Sequence, residues 1–172
     1  AYYYGGDSAK SGVITHNQNT YMYTTTTLAT PQTLSFWWAV SSEANYDYLE
    51  FYIDGVLKDR ISGAVGWQQK RYALAAGEHT LTWRYIKDGS VNAGADAGYV
   101  DWVQLPSLDE AVDLSGFGLE SGGSSAWLGQ TSAYYYAGNS AKSGFITHNQ
   151  NSYMYSTKTL ATPKTLSFWW AV

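Results

Sequence analysis

The chain has 172 residues, enough for one ordinary domain or one and a half small ones, and a formal net charge of −4 with its Lys and Arg scattered. Aromatic residues make up 17% and charged residues 14%, which excludes a disordered chain, and the lack of a basic stripe excludes nucleic acid as a partner. The absence of Cys removes disulfides, thiolate nucleophiles and Cys-ligated metals together, and no apolar run nears the ~20 residues that insertion across a bilayer needs.

In chain order, the first 40 residues hold the aromatic groups Tyr2-Tyr3-Tyr4 and Tyr21-Met22-Tyr23, with a polar, loop-like Thr-His-Asn-Gln-Asn stretch around His16 between them. Alternation then marks strands. Over 33–40, Leu34, Phe36, Trp38 and Val40 share one face, so of the adjacent pair Trp37 and Trp38 one is core and at most one is exposed. Over 46–53, Leu49, Phe51 and Ile53 share a face, and Asp54-Gly55 supplies a tight hairpin step that needs positive φ twice. Residues 67–74 alternate again. Ala76-Gly77-Glu78 turns the chain into 79–86, where Leu81, Trp83 and Tyr85 point one way and His79 sits at a sheet rim. Lys87-Asp88-Gly89-Ser90 ends that strand, and 99–105 is the next. No segment shows a period of 3.6 residues. Short strands with turn signals about every ten residues predict an all-β fold, an antiparallel β-sandwich of jelly-roll type.

Residues 133–172 restate residues 1–40 at a constant offset of 132 without gaps, and 33 of the 40 positions are identical. His148 repeats His16, and the aromatic groups recur at 134–136, 153–155 and 169–170. The chain is therefore read as tandem repeats of period 132. Polar 106–110, opened by Pro106, marks a junction. On this reading 1–106 is a sandwich module without its first segment, 107–113 is the junction, and 114–172 is the front portion of the next repeat.

The runs LSFWWAVSSEANYDYLEFYIDGV and GWQQKRYALAAGEHTLTWRYIKDGSVNAGADAGYVDWVQLP, with the front piece LSGFGLESGGSSAWLGQTSAYYYAGNSAKSG (114–144), resemble tandem repeats of large bacterial surface and secreted proteins. Those repeats are similar to concanavalin-like and MAM-like jelly rolls, including cleaved-adhesin modules. The resemblance covers nearly the whole chain in permuted order. It implies a jelly roll on the cell surface or outside the cell, serving adhesion, glycan binding or plain spacing alike. It also implies a structural calcium ion between an acidic residue near the module start and an Asp on the last strand. The matching positions are Glu120 and Asp101, with Asp96 nearby, against the alternative that Asp101 accepts hydrogen bonds from loop amides.

Catalytic motifs are lacking: there is no Gly-x-Ser-x-Gly elbow and no His-Glu-x-x-His. Asp54 and Asp88 precede Gly in turns, which accounts for them without a glycosidase carboxylate pair. An enzyme is not expected. Tyr3, Tyr21, Trp37 and Trp127 are candidate glycan contacts, with core packing as the alternative. Counting pieces adds a second expectation. One back portion can complete only one of the two front portions, so the surplus one, with Leu166, Phe168, Trp169 and Trp170, is an assembly surface completed by a neighbouring copy of the chain or by a further repeat of the same chain. The function expected is a non-catalytic structural or adhesive repeat that joins head to tail into a filament by strand sharing, with a carbohydrate-binding, lectin-like module as the alternative.

Overall fold

A computed structural model describes residues 3–114, 116–131 and 133–172. Tyr2, the first ring of the opening Tyr triplet, lies outside the described residues. The chain divides into two compact units. The first comprises Leu34–Tyr72, Gly77–Gln104 and the described part of 1–28, and the second comprises Ala29–Thr33, Ala73–Ala76 and the described part of 105–172.

The first unit is an antiparallel β-sandwich. One sheet runs in the order β1 (Ala9–Lys10), β8 (Ala97–Gln104), β3 (Gln32–Ser41) and β6 (Ala64–Leu74). The other runs β2 (Asn19–Leu28), β7 (Gly77–Ile86), β4 (Tyr48–Ile53) and β5 (Val56–Ser62). The alternation in the sequence decides which side chains face inward. Leu34, Phe36 and Trp38 of β3 are fully buried, and Leu49, Phe51, Leu81, Trp83 and Tyr85 of β4 and β7 meet them. Their rings interlock between the sheets: Phe36 lies 4.7 Å from Phe51 and edge-on to Trp83 at 5.2 Å. Each such ring removes enough apolar surface from water to contribute about 1.5–3 kcal/mol. Gly98 lets the two sheets close, because a Cβ there would lie 2.8 Å from Leu49 Cδ1. The β4–β5 hairpin turns on Asp54 (φ 53°) and Gly55 (φ 75°), the two positive values that its Asp-Gly step predicts.

The second unit is smaller. It contains α1 (Leu108–Ala111) and four short strands: β9 (Glu120–Gly123), β10 (Leu128–Gln130), β11 (Ser140–Lys142) and β12 (Ser152–Tyr155). β9 pairs with β12 and β10 with β11, both antiparallel. The helix lies within the junction at 107–113, where the sequence shows no helical period. One turn is too short for a hydrophobic period, but Ser107 and Glu110 form a capping box, and Ser-x-x-Glu is legible in the sequence. The Asp109 carboxylate then accepts hydrogen bonds from the Gly118 and Leu119 amides, both at 2.7 Å, and fixes the loop leading to β9. No helix among the described residues is long and apolar enough to cross a membrane.

Candidate functional site

Two regions stand out, and the repeat connects them. The first is an aromatic group on the outer face of the β3–β8 sheet. Trp38 points into the core, so Trp37 points away from it and is half-buried. Tyr3 stacks on Trp37 with ring centroids 3.6 Å apart and planes 14° apart. The β3–β8 ladder pairs Ser35 with Gln104 and Trp37 with Asp101, so β8 carries one extra residue between them. That bulge holds Trp102 at φ 47° and turns its ring onto Tyr4 at 4.5 Å. Asp101 organises the group. Its Oδ2 accepts hydrogen bonds from the Tyr3 amide at 2.6 Å and the Tyr4 amide at 2.9 Å, and its Oδ1 accepts one from the Trp102 amide at 2.6 Å. Partial burial would raise the Asp101 carboxyl, but these three amides overcome it and hold its pKa below the ordinary 3.8.

Tyr3 and Trp37 are thus brought together, as two of the four candidate glycan contacts. Tyr21 lies on β2 in the other sheet and is exposed beside Tyr23. Trp127 is half-buried in the second unit, where its amide donates to Ser121 Oγ at 2.6 Å. Trp102 was not legible as a site residue, and Tyr4 only as a member of the repeated Tyr2-Tyr3-Tyr4 group. Trp102 follows the β8 alternation in sequence, and only the bulge re-aims it.

The second region is 164–172. It differs from 32–40 in sequence at one position only, Lys164 for Gln32, yet it forms no strand. Leu166, Phe168 and Trp170 are 67%, 73% and 82% exposed, whereas Leu34, Phe36 and Trp38 are all at 0%. Trp169 keeps a stacked partner, Tyr135 at 4.6 Å, as Trp37 keeps Tyr3.

The carboxylates assigned to calcium have separate protein partners. Asp101 accepts the loop amides just described. Asp96 pairs with the fully buried Lys87 ammonium at 2.5 Å, and Asp47, also fully buried, lies 3.2 Å from the same nitrogen. Burial alone would lower Lys87, but hydrogen bonds to Asp96 and Asp47 and their charges hold its pKa above the ordinary lysine value. Glu120 accepts a hydrogen bond from Tyr155 Oη at 2.8 Å. A different acidic trio, Glu43, Asp47 and Asp88, brings carboxylate oxygens within 4.8 Å of one another. Burial first, then the negative charges of Asp88 and Asp47, raise Glu43. The Lys87 charge beside Asp47 compensates this trio in part.

His16 and His148 both lie in turns, and the turns match: Asn17 and Asn149 each have φ 60°, and the Thr15 and Thr147 amides each donate to a Gln side chain at 2.8 Å. His79, at the rim of β7, contacts Asp54 Oδ2 through Nδ1 at 2.8 Å.

No family model matches this chain, and no curated protein matches it. Among solved structures it is similar to the secreted serine protease VesC from Vibrio cholerae, with a TM-score of 0.52 and 10% identity over 59% of this chain. The match spans 22% of the protease chain, so it shows a shared fold with one part of that protein. A family 35 carbohydrate-binding module from an environmental isolate aligns with a TM-score of 0.34 and 12% identity, over 62% of this chain and 82% of that one. At that score the second likeness is too distant to bear on fold or function.

Proposed function

We propose that the chain is a non-catalytic structural and adhesive repeat of an extracellular surface protein, whose copies join head to tail by sharing strands. The observation that carries this reading is the exposed 164–172 segment, whose near-identical counterpart is a core strand. An apolar segment with strand propensity and no sheet to join recruits one. Likeness to part of a secreted protein supports the extracellular setting. The test is light scattering of the parent beside a Phe168→Asp, Trp170→Asp variant. The parent is expected to form species heavier than the 19.0 kDa chain, and the variant to stay a monomer. Equal association of the two overturns assembly through this segment.

A second reading is favoured by the aromatic group of Tyr3, Tyr4, Trp37 and Trp102. Rings held by a charged anchor suit sugar stacking, and Tyr4 and Trp102 retain exposed surface. Affinity electrophoresis in polysaccharide gels is expected to retard the parent and release a Trp102→Ala variant. Equal mobility on every gel removes the glycan reading. A structural calcium ion at Asp101 and Asp96, completed by Glu120 of a different repeat or molecule, is a subsidiary proposal. A rise in melting temperature in millimolar calcium chloride supports it, and an unchanged one removes it.

A further inference from the structure

The two copies of the Tyr-Met-Tyr strand use opposite edges. In the first copy the Lys87 amide donates to the Gln18 carbonyl at 3.0 Å, so Gln18 and, by alternation, Thr20 and Met22 turn their main-chain groups toward β7. In the second copy the Ser124 amide donates to the Asn151 carbonyl at 2.7 Å. Asn151, Tyr153 and Tyr155 therefore turn theirs toward β9. At the offset of 132 these positions are Asn19, Tyr21 and Tyr23. The edge that β12 gives to β9 is the edge that β2 leaves open, while β2 spends its other edge on β7. The same holds by position for the neighbouring pair. β10 lies between β11 and a single parallel pairing with β3 at Gln32, and the counterpart of β11 is β1, which has β8 as its partner.

From this we infer that the open edges of β2 and β1 are a docking site for residues 120–130 of a second copy of the chain. This inference rests on the strand sharing proposed above and names the segment and edge that carry it. The register follows from the resident pairs: Glu120 opposite Tyr23, Gly122 opposite Tyr21, and Gly129 opposite Ala9. Gly122 suits this place. In the second unit a Cβ there would lie 2.7 Å from the Tyr153 ring, and Tyr21 is the same residue at the repeat position.

The acceptor is the better template for a physical reason. Among the described residues β12 pairs with β9 alone, over four residues, whereas β2 is already fixed over ten residues by β7. A segment that moves from β12 to β2 makes the same main-chain bonds on a strand whose ordering cost has been met by its own unit. The product has five strands in each sheet, in the orders β9–β2–β7–β4–β5 and β10–β1–β8–β3–β6. The donor releases 133–172, whose last nine residues carry no strand to lose, and gives up the one β10–β3 pairing, that of Gly129 with Gln32.

The test uses the full chain, which has no Cys of its own. A Tyr23→Cys chain mixed with a Glu120→Cys chain is expected to give a disulfide-linked heterodimer on mild oxidation, because directly opposite strand residues lie within disulfide reach. A Glu120→Cys, Tyr155→Cys chain locks the segment to its resident strand. Its association is expected to fall to the monomer when oxidised and to return on reduction. If the parent associates but no Tyr23–Glu120 link forms and the lock has no effect, the docking site is wrong while strand sharing through 164–172 stands. If a Tyr23→Cys, Glu120→Cys double variant links only within single molecules, the second copy is wrong. A parent that is monomeric at every concentration overturns both the docking site and the strand sharing.

Discussion

Residues 33–40 and 165–172 spell Thr-Leu-Ser-Phe-Trp-Trp-Ala-Val alike, and the molecule treats them differently. In the first unit the run is β3, wedged between β8 and β6 with Phe36 and Trp38 out of water. In the second unit the same run is an open chain with Phe168 and Trp170 exposed. A strand of this kind has no hydrogen bonds of its own. Its main-chain groups and its apolar face are satisfied only by neighbours distant in sequence. The short polar turns behave in the opposite way and look the same in both copies.

The largest expected effect breaks or keeps this contrast directly. Phe36→Ala should cost the first unit about 3–5 kcal/mol in urea unfolding followed by Trp fluorescence, the usual range for a large ring removed from a packed core. Phe168→Ala, measured on dilute protein, should change the same transition by less than about 0.5 kcal/mol. Similar losses at both sites would mean that 164–172 is packed in solution.

Lys87 sharpens the contrast from the back portion, which only the first unit has. Lys87→Met leaves the buried Asp47 and the adjoining Asp96 without their cation and should cost about 3–5 kcal/mol. The folded pKa of Lys87 is raised above 10.5. Its contribution is therefore complete below that pH and is lost as pH rises through the folded value. The alkaline loss of stability expected of the parent should flatten in the variant. A parallel pair of curves would assign the alkaline loss to other groups.

Asp101 comes next. It anchors Tyr3 and Tyr4 in the first copy, while the Tyr135–Trp169 stack forms with its ring centroids 4.6 Å apart. Because the folded pKa of Asp101 is lowered, its contribution is present above about pH 3.8 and disappears as pH falls through the folded value. Asp101→Asn should cost about 1–2 kcal/mol at neutral pH and weaken the acid-side fall in melting temperature. Near-ultraviolet circular dichroism should lose the Tyr3–Trp37 signal and keep that of Tyr135–Trp169. An unchanged spectrum would mean that the rings stack without the carboxylate.

The smallest effect tests the matching turns. Asn17→Ala and Asn149→Ala should each cost about 1 kcal/mol, the strain of a left-handed residue with a Cβ and no local hydrogen bonding. Hydrogen exchange at the Thr15 and Thr147 amides should quicken equally. Unequal changes would show that tertiary contacts, and not the turn itself, set this geometry.

Much of the fold was legible because it is written in local patterns. The inward face of β3, the Asp-Gly hairpin and the strands around Phe51 and Trp83 follow from a period of two and from turn chemistry. The single turn of α1 escaped because one turn has no period, although its capping box could be read. The aromatic site was half legible. Tyr3, Tyr4 and Trp37 were visible as repeated rings, but Trp102 joins them through a bulge, and Asp101 anchors Tyr3 and Tyr4, in ways that no spacing announces.

By itself, the sequence determined the repeat, which direct comparison shows, and the β character, the turns and the face that each strand would bury, since these last depend on residues within a few positions of one another. Counting pieces in the sequence left 166–170 as the surplus, and the tertiary structure alone decided which side chains enclose its buried counterpart. Burial of Phe36 needs Phe51 and Trp83 from strands that follow it in the chain, and Phe168 stands exposed without such partners. The apolar driving force is the same in both copies, but it acts only where another sheet removes the side chain from water.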